Sequence, residues 1–477
     1  MENLTKILQT RFGFQRFRPG QEAALKHLLA EESVLAVLPT GAGKTLIYQM
    51  YGAVTDRPVI IVSPLLSLMT DQVERMQAEG EKRVVAFNSQ QNWSERQRAL
   101  DQLAQYRFIF VSPESLANLD LVQRLAQINP GLFVIDEAHC ISQWAVDFRP
   151  DYLDLGQHWQ TLGQPQLLLL TATASPRIQS DILQKLQVHN IARVILDVDR
   201  PNIFLAEQTL ETEIDKQAFL VDFFKHTPGP AIIYFSSKKM ANQMAATLQA
   251  ETELNVAAYH ADLDTETRFK VQHQFMDDQL QVICATSAFG MGIDKANIRI
   301  IIHYHLPQDL ESYLQEIGRA GRDGKQSLAL LLYTPGDETL ALNLIDHSLP
   351  TEATLSMYTQ QPQQLNEQMR KLIQYYGRHQ VSHDQMLAIF QAERKRKEAA
   401  LLKVVQYVLT TGCRRERLLS NFSNQLQDKP QWCCDFDQPD WTIAALKLET
   451  PRVLKPNLMK DWHQIIAELF EADGNML

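Results

Sequence analysis

Lys44 and Thr45 close the loop in LPTGAGKTLIYQ, and Asp136 and Glu137 open DEAHCISQWAVDFRP; these are the residue types that phosphate chemistry needs. In the first stretch Gly41 and Gly43 let backbone amides turn inward around phosphate oxygens, with Thr40 and Ala42 completing the loop. Lys44 can reach the β and γ phosphates, and Thr45 offers a hydroxyl to Mg2+. In the second stretch Asp136 suits Mg2+, held through water or the Thr45 hydroxyl, and Glu137 suits orienting and deprotonating an attacking water. A glycine turn that binds nothing competes with this reading, but a paired acid strand disfavours it.

Two further groups extend the chemistry. In ESYLQEIGRAGRDG, Gln315, Arg319 and Arg322 stand at i, i+4 and i+7, so a helix would put them on one face, aimed at a γ-phosphate held by a neighbouring domain. Arginine suits the charge that develops in phosphoryl transfer. Within a dozen residues of the acid pair come Trp144, Phe148 and Arg149, which suit stacking on bases.

These groups need a rigid frame. From about Glu31 to Arg193 short apolar runs alternate with helical segments: SVLAVLP, PVIIVSP, RVVAFN, RFIFVSP, LFVIDEA and QLLLLTATA. Such runs are too short for amphipathic helices and suit buried strands of a parallel sheet. The alternation restarts after DVDRPNIF with AIIYFSS, NVAAYHA, QVICATS, IRIIIHY and SLALLLY, then stops beyond IDHSLP. The expected class is therefore α/β, with two parallel-sheet domains over 1–199 and 200–346, a helical module over 347–440 and a short tail over 441–477. That tail carries one amphipathic piece, LMKDWHQIIAELF.

Composition narrows the function. The chain has 477 residues, 45% of them apolar and 21% charged, which reads as soluble and globular. No apolar run approaches a membrane span, and MENLTKILQT does not read as a signal peptide, so the expected compartment is the cytoplasm. Five cysteines are too few for a disulfide framework. A net charge of -10 argues against coating nucleic acid by bulk attraction, but not against a motor that tracks one strand through a groove.

The ordered blocks resemble those of superfamily 2 helicases, and within them the RecQ DNA helicases. The resemblance runs from about Phe12 to Asp323 through FGFQRFRPGQ, LPTGAGKTLIYQ, VSPLLSLMTDQ, VSPE, DEAHCISQWAVDFRP, TATA, IIYFSS, AAYHADLD, ATSAFGMGIDKANIR and QEIGRAGRDG. Leu38 stands where a strict phosphate loop has glycine, a departure that helicase-type loops share. The resemblance implies RecA-like domains and an ATP- and Mg2+-dependent motor that moves 3′→5′ on single-stranded DNA and unwinds forked or tailed duplex in recombination and repair. A nucleic-acid-stimulated translocase that does not part strands, and a metabolic phosphate-loop enzyme, are the other classes; the paired arginines and ten ordered blocks disfavour the second.

Residue roles follow from the resemblance. Phe14, Arg18 and Gln21 map onto an adenine pocket. Trp144, Phe148 and Arg149 match an aromatic-rich loop that reports bound DNA to the hydrolytic acids; His139 is kept, while Ala145 and Val146 replace the usual Gly-His pair. Strand contacts are expected from turn segments at the sheet edges: Ser63 with Pro64, Ser112 with Pro113, Ser236, His260 and Thr286. RecQ proteins usually continue into a zinc module. Here Cys413 precedes an Arg-Arg pair as expected, but the later run is QWCCDFD, which leaves Cys433 or Cys434, and Asp437, as the remaining candidates. Because adjacent cysteines rarely both bind one ion, the expectation is a module that folds by helix packing without zinc. With 40 residues after Asp437, a short form without winged-helix and C-terminal helical accessory domains is expected. The basic run Arg394 to Lys397 is either a DNA grip or a solvated helix face.

Overall fold

The computed structural model describes residues 4–87, 91–143, 146, 149–227, 229–290, 293 and 295–448. Seven strands make the first sheet: β1 (Val34–Val37), β2 (Val59–Val62), β3 (Val84–Phe87), β4 (Phe108–Val111), β5 (Leu132–Ile135), β6 (Gln166–Thr171) and β7 (Ala192–Ile195). All pair in parallel, in the order β3-β4-β2-β5-β6-β1-β7. Apolar side chains alternate above and below, so one face packs residues such as Ile60, Val111 and Phe133 and the other Ile61, Phe110 and Val134. Burial on both faces is why these strands read as continuous apolar runs.

The second sheet repeats the plan with six strands: β8 (Ile203–Thr209), β9 (Ala231–Tyr234), β10 (Val256–Tyr259), β11 (Val282–Ala285), β12 (Ile300–His303) and β13 (Ser327–Tyr333). Their order is β10-β11-β9-β12-β13-β8, again all parallel. All eleven apolar runs became strands. The two that escaped, β7 and β8, lie at sheet edges, where β7 has a single buried residue and β8 ends in polar residues.

Among the described residues past β13 the regular structure is helical, and it divides unevenly. The helices Glu352–Gln360 and Glu367–Arg378, with the start of His383–Val408, close a small core of their own around Leu372, Tyr376 and Phe390. The end of that long helix, the helix Arg414–Ser420 and the cysteine segment instead join the core of the second sheet, through Val404, Tyr407, Leu418, Cys433 and Cys434. A single bridge, Leu205 to Cys434, even adds the cysteine segment to the β8 edge. The helical region is therefore not one body: part of it finishes the second half.

The other part reaches the first half. The Tyr375 hydroxyl donates to Asp154 (2.7 Å), the Tyr376 hydroxyl donates to the carbonyl of Val146 (3.2 Å), and Leu153 packs against both cores. Among the described residues no helix is long and apolar enough to cross a membrane. The amphipathic piece in the tail lies outside the described residues.

Candidate nucleotide and nucleic-acid site

Because every strand runs the same way, one edge of each sheet collects all the strand ends. Along the first sheet that edge reads Ser112, Ser63, Asp136, Thr171 and then the phosphate loop after β1. Polar groups suited to a strand of nucleic acid and groups suited to phosphate transfer are thus neighbours across a few strand spacings of about 5 Å each.

The phosphate loop turns through Gly41 (φ 80°) and Gly43 (φ 72°) into the helix Thr45–Thr55. Gln21 lies against it, donating from Nε2 to the carbonyls of Ala42 (2.8 Å) and Gly43 (2.9 Å). A Cβ at Gly43 would stand 2.7 Å from that nitrogen and displace the Gln21 amide, and the positive φ favours glycine there. Arg18 donates to the carbonyl of Gly41, and its backbone N–H donates to Gln21 Oε1 (2.8 Å). Phe14 stands nearby in sequence and is 47% exposed, an apolar ring open to a flat partner. Lys44 Nζ donates to the Leu38 carbonyl (3.4 Å), a long contact that a phosphate oxygen could replace.

Asp136 follows β5, where its N–H donates to Val62 (2.9 Å). Burial first, and then the Glu137 carboxylate, push its pKa up; Lys44 opposes them. A buried acid beside a second acid is a site that gains from a cation. Glu137 has a positive φ of 50°, which β-branched residues rarely adopt and which turns the chain sharply off the strand. Its carboxylate stands 3.3 Å from Nδ1 of His139, which also meets the Thr171 hydroxyl at 3.0 Å. Burial holds the His139 pKa down, so the ring is neutral at neutral pH. His139 thus joins the acid strand to the end of β6 rather than pointing to solvent.

The second half closes over this edge. The Thr40 hydroxyl donates to the Gly318 carbonyl (2.9 Å), the Ser175 hydroxyl to Glu311 (2.9 Å), and Gln143 Nε2 to Asp309 (3.3 Å). The expected helical face for Gln315, Arg319 and Arg322 is corrected here. The helix Leu310–Ile317 ends at Gly318, so only Gln315 is helical; both arginines lie in the following turn. Arg319 is buried and donates to the Gly290 carbonyl, and Arg322 donates to Ile293 (2.6 Å) while its side-chain stem lies near Gly41. Glycine stops the helix, and the turn still delivers Arg322 to the phosphate loop.

The expected strand contacts divide. Ser236 is exposed and Thr286 half-buried at the edge of the second sheet. Ser63, Ser112 and His260 are buried. The Ser112 hydroxyl caps the turn at Ser115 N (3.3 Å), and His260 Nε2 bonds Asn242 (3.1 Å), so both have structural duties. The Ser63 hydroxyl has no hydrogen-bond partner among the described residues. Arg149 donates to Glu114 (2.7 Å) and to the Pro64 carbonyl, tying the loop after the acids to both turn segments. Trp144 and Phe148 lie outside the described residues. The basic run is mostly engaged: Arg394 pairs with Asp346 (2.6 Å), Arg396 with Glu393, and Lys397 donates to Ser348 (3.4 Å), while Lys395 is exposed.

The late cysteines converge. One ligand atom from each of Cys413, Cys433, Cys434 and Asp437 lies within 4.8 Å of the others. Cys413 Sγ stands 3.6 Å from Cys433 Sγ and 3.8 Å from Cys434 Sγ, and Cys434 Sγ stands 3.2 Å from Asp437 Oδ2. Zn–S bonds of about 2.3 Å at tetrahedral angles require sulfurs about 3.8 Å apart, so the spacing fits one zinc ion. The hydrogen bond from Cys433 holds the Cys434 pKa down; Asp437 is held low too, with Lys429 and the cysteines overcoming burial. Both adjacent cysteines reach the cluster because the chain turns at Cys434, with Asp437 N–H donating back to its carbonyl (3.1 Å).

Sequence reasoning passed over Thr171, the partner of His139, and Arg200 and Asn202, which hold the arginine turn. Nothing periodic marks them, although the pair flanks a proline in DRPN between two apolar runs.

Comparison with known proteins agrees with this geometry. The DEAD/DEAH box helicase family model matches residues 18–182, and the helicase conserved C-terminal domain model matches 215–324. The chain is 38% identical over 473 residues to the probable ATP-dependent DNA helicase RecS of Bacillus subtilis, covering 94% of this chain and 95% of that one. It is 40% identical over 334 residues to the ATP-dependent DNA helicase RecQ of Haemophilus influenzae, covering 69% of this chain but only 53% of the relative, so it spans about half the length of that protein. Among solved structures the helicase MrfA bound to DNA superposes with a TM-score of 0.60 at 16% identity, over 72% of this chain and 52% of that one, a likeness of fold. Near full-length similarity to RecS, helicase models on both halves and two parallel-sheet domains meeting at a phosphate loop together place this chain in the RecS/RecQ family of superfamily 2 helicases.

Proposed function

We propose that this chain is an ATP-dependent DNA helicase that moves 3′→5′ along single-stranded DNA and parts forked or tailed duplex in recombination and repair. Residues 1–199 and 200–346 form its two motor halves. The observation that carries the reading is the edge of the first sheet, where segments suited to a DNA backbone, the acid pair and the phosphate loop follow one another strand by strand, with Arg322 of the second half against Gly41.

On this reading Phe14, Arg18 and Gln21 take the adenine, and Lys44 and the loop amides of 40–45 take the phosphates. Thr45 and Asp136 hold the magnesium, which supplies positive charge to the phosphate oxygens. Glu137, oriented by neutral His139, takes a proton from the attacking water, while Gln315, Arg319 and Arg322 answer the charge on the transferred phosphoryl group. Trp144 and Phe148 stack on bases, and Arg149 exchanges its tie to Glu114 and Pro64 for a DNA phosphate, so the strand is sensed next to the acids. Ser236, Thr286 and the turns at Ser63 and Ser112 track the backbone without reading sequence. Cys413, Cys433, Cys434 and Asp437 hold a structural zinc, because their spacing fits that ion.

The alternative is a DNA-stimulated translocase that leaves strands paired. One set of measurements separates the readings: ATPase rate without polymer, with single-stranded DNA and with RNA, followed by unwinding of duplexes bearing 3′ or 5′ tails. The proposal expects stimulation by DNA and unwinding from 3′ tails only. Stimulation without unwinding selects the translocase, and a rate indifferent to all polymers rejects both.

A further inference from the structure

The turn carrying Arg319 and Arg322 is held from outside by a residue with no place in the phosphate site. Arg200 lies in the crossing from β7 to β8, and its guanidinium donates to the carbonyls of Gly318 (3.1 Å), Ala320 (3.1 Å) and Gly321 (2.7 Å), interleaved with the two arginines. Asn202 grips the same turn, donating to Gly321 (2.9 Å) and Lys325 (2.8 Å). A Cβ at Gly321 would meet the Asn202 amide at 2.3 Å, so the turn is shaped to this clamp.

The Gly318 carbonyl accepts from the Thr40 hydroxyl as well, so one oxygen joins the crossing, the arginine turn and the phosphate loop. Behind the crossing stands Arg415, 2% exposed. It pairs with Asp199 and donates to the carbonyls of Arg200 (3.1 Å), Ile203 and Cys433 (3.3 Å). A planar guanidinium suits this work because its forked donors fix several acceptors at once, and a lysine would keep the charge but lose the fork.

We propose that Arg200 is a positioning residue for ATP hydrolysis, setting the turn so that Arg319 and Arg322 face the phosphates, and that Arg415 positions Arg200 in turn, linking the cysteine segment to the motor. This rests on the reading of that turn as the phosphate-facing element. Arg200 acts through the arginines, whose charge matters most in the transition state, so its removal should fall on kcat and spare the KM for ATP.

The test uses the full chain and compares Arg200→Ala, Arg200→Lys, Arg415→Lys and Arg322→Ala for kcat, KM, stoichiometry of nucleotide binding and affinity for single-stranded DNA. The expected result is a kcat at least about tenfold lower in Arg200→Ala, with KM and DNA affinity within about twofold, as when an interaction made only in the transition state is removed. Arg200→Lys should recover part of it, and Arg415→Lys should show a smaller reduction of the same kind. An unchanged kcat in Arg200→Ala, or a reduction matched by fewer nucleotide-binding sites, overturns the proposal. Should Arg200→Ala not fold, Arg200→Lys decides in its place: full kcat there rejects the clamp. Full activity in Arg322→Ala would instead reject the phosphate-facing reading of the turn, and this inference with it.

Discussion

The phosphate site and the cysteine cluster both gather polar groups from distant segments, yet they are built by opposite means. In the first, Ser63, Ser112, Asp136 and Glu137 sit one or two residues past a strand end, the phosphate loop leads on from β1, and parallel pairing carries those strand ends to one edge. Spacing within each motif then fixes what the side chain can reach. In the second, Cys413 begins a helix while Cys433 and Cys434 lie at a single bridge to β8, and only the packing of helix against sheet brings them together. A motif states its own geometry when the frame beneath it is regular; a cluster assembled by tertiary packing does not.

The comparison breaks most visibly if the motif site fails. Lys44→Ala and Glu137→Gln each remove a group assigned to the γ-phosphate or its attacking water, so hydrolysis should fall by about 10³-fold or more while single-stranded DNA binding persists. Near-normal turnover in either variant would mean that strand-end placement did not identify the chemistry.

A second outcome bears on the cluster. Protein purified without added zinc should carry about one zinc per chain by elemental analysis, and chelation should lower its melting temperature, since a structural ion contributes folding energy. Lys429 donates to Asp437 (2.9 Å) from outside the four donors, so Lys429→Ala should weaken zinc affinity by about 10-fold. Protein without zinc whose melting temperature ignores chelator would show that the four donors are packed together for another reason, such as a network of thiol hydrogen bonds.

The same contrast explains what could be read from the sequence. Central strands such as β2 and β5 are buried on both faces and announce themselves as VIIV and LFVI, and the chemistry attached to their ends was legible with them. Edge strands β7 and β8 mix polar with apolar residues, so the crossing between them, and Arg200 within it, went unnoticed. The arginine motif was legible in composition but not in shape, because Gly318 ends the helix one residue before Arg319. Least legible was the stretch from 350 to 390, where helical spacing gives no hint that Tyr375 and Tyr376 reach the first half at Asp154 and Val146. Such contacts depend on where two folded bodies meet, and no local pattern encodes that.

The smallest expected effect concerns the basic run, where a sequence reading of charge meets a structure that has already used it. Three of its four residues brace the long helix: Arg394 to Asp346 and Lys397 to Ser348 on the helix Asp337–Ser348, and Arg396 to Glu393 one turn back. The two partly exposed ion pairs contribute about 0.2–1 kcal/mol each, so replacing Arg394, Arg396 and Lys397 with Gln should lower stability slightly. DNA binding should respond still less. Removing a side chain that neutralises a phosphate would reduce the slope of log affinity against log salt by about 0.7 on single-stranded DNA, whereas side chains engaged with partners inside the protein release no counterions from DNA. Titrations at several salt concentrations should therefore give parallel lines for parent and variant. Lys395→Gln, at the exposed position of the run, is the informative companion. A slope reduced by the triple replacement would mean that DNA exchanges these ion pairs for phosphates, making the run a grip after all and moving it from the frame of the molecule to its working surface.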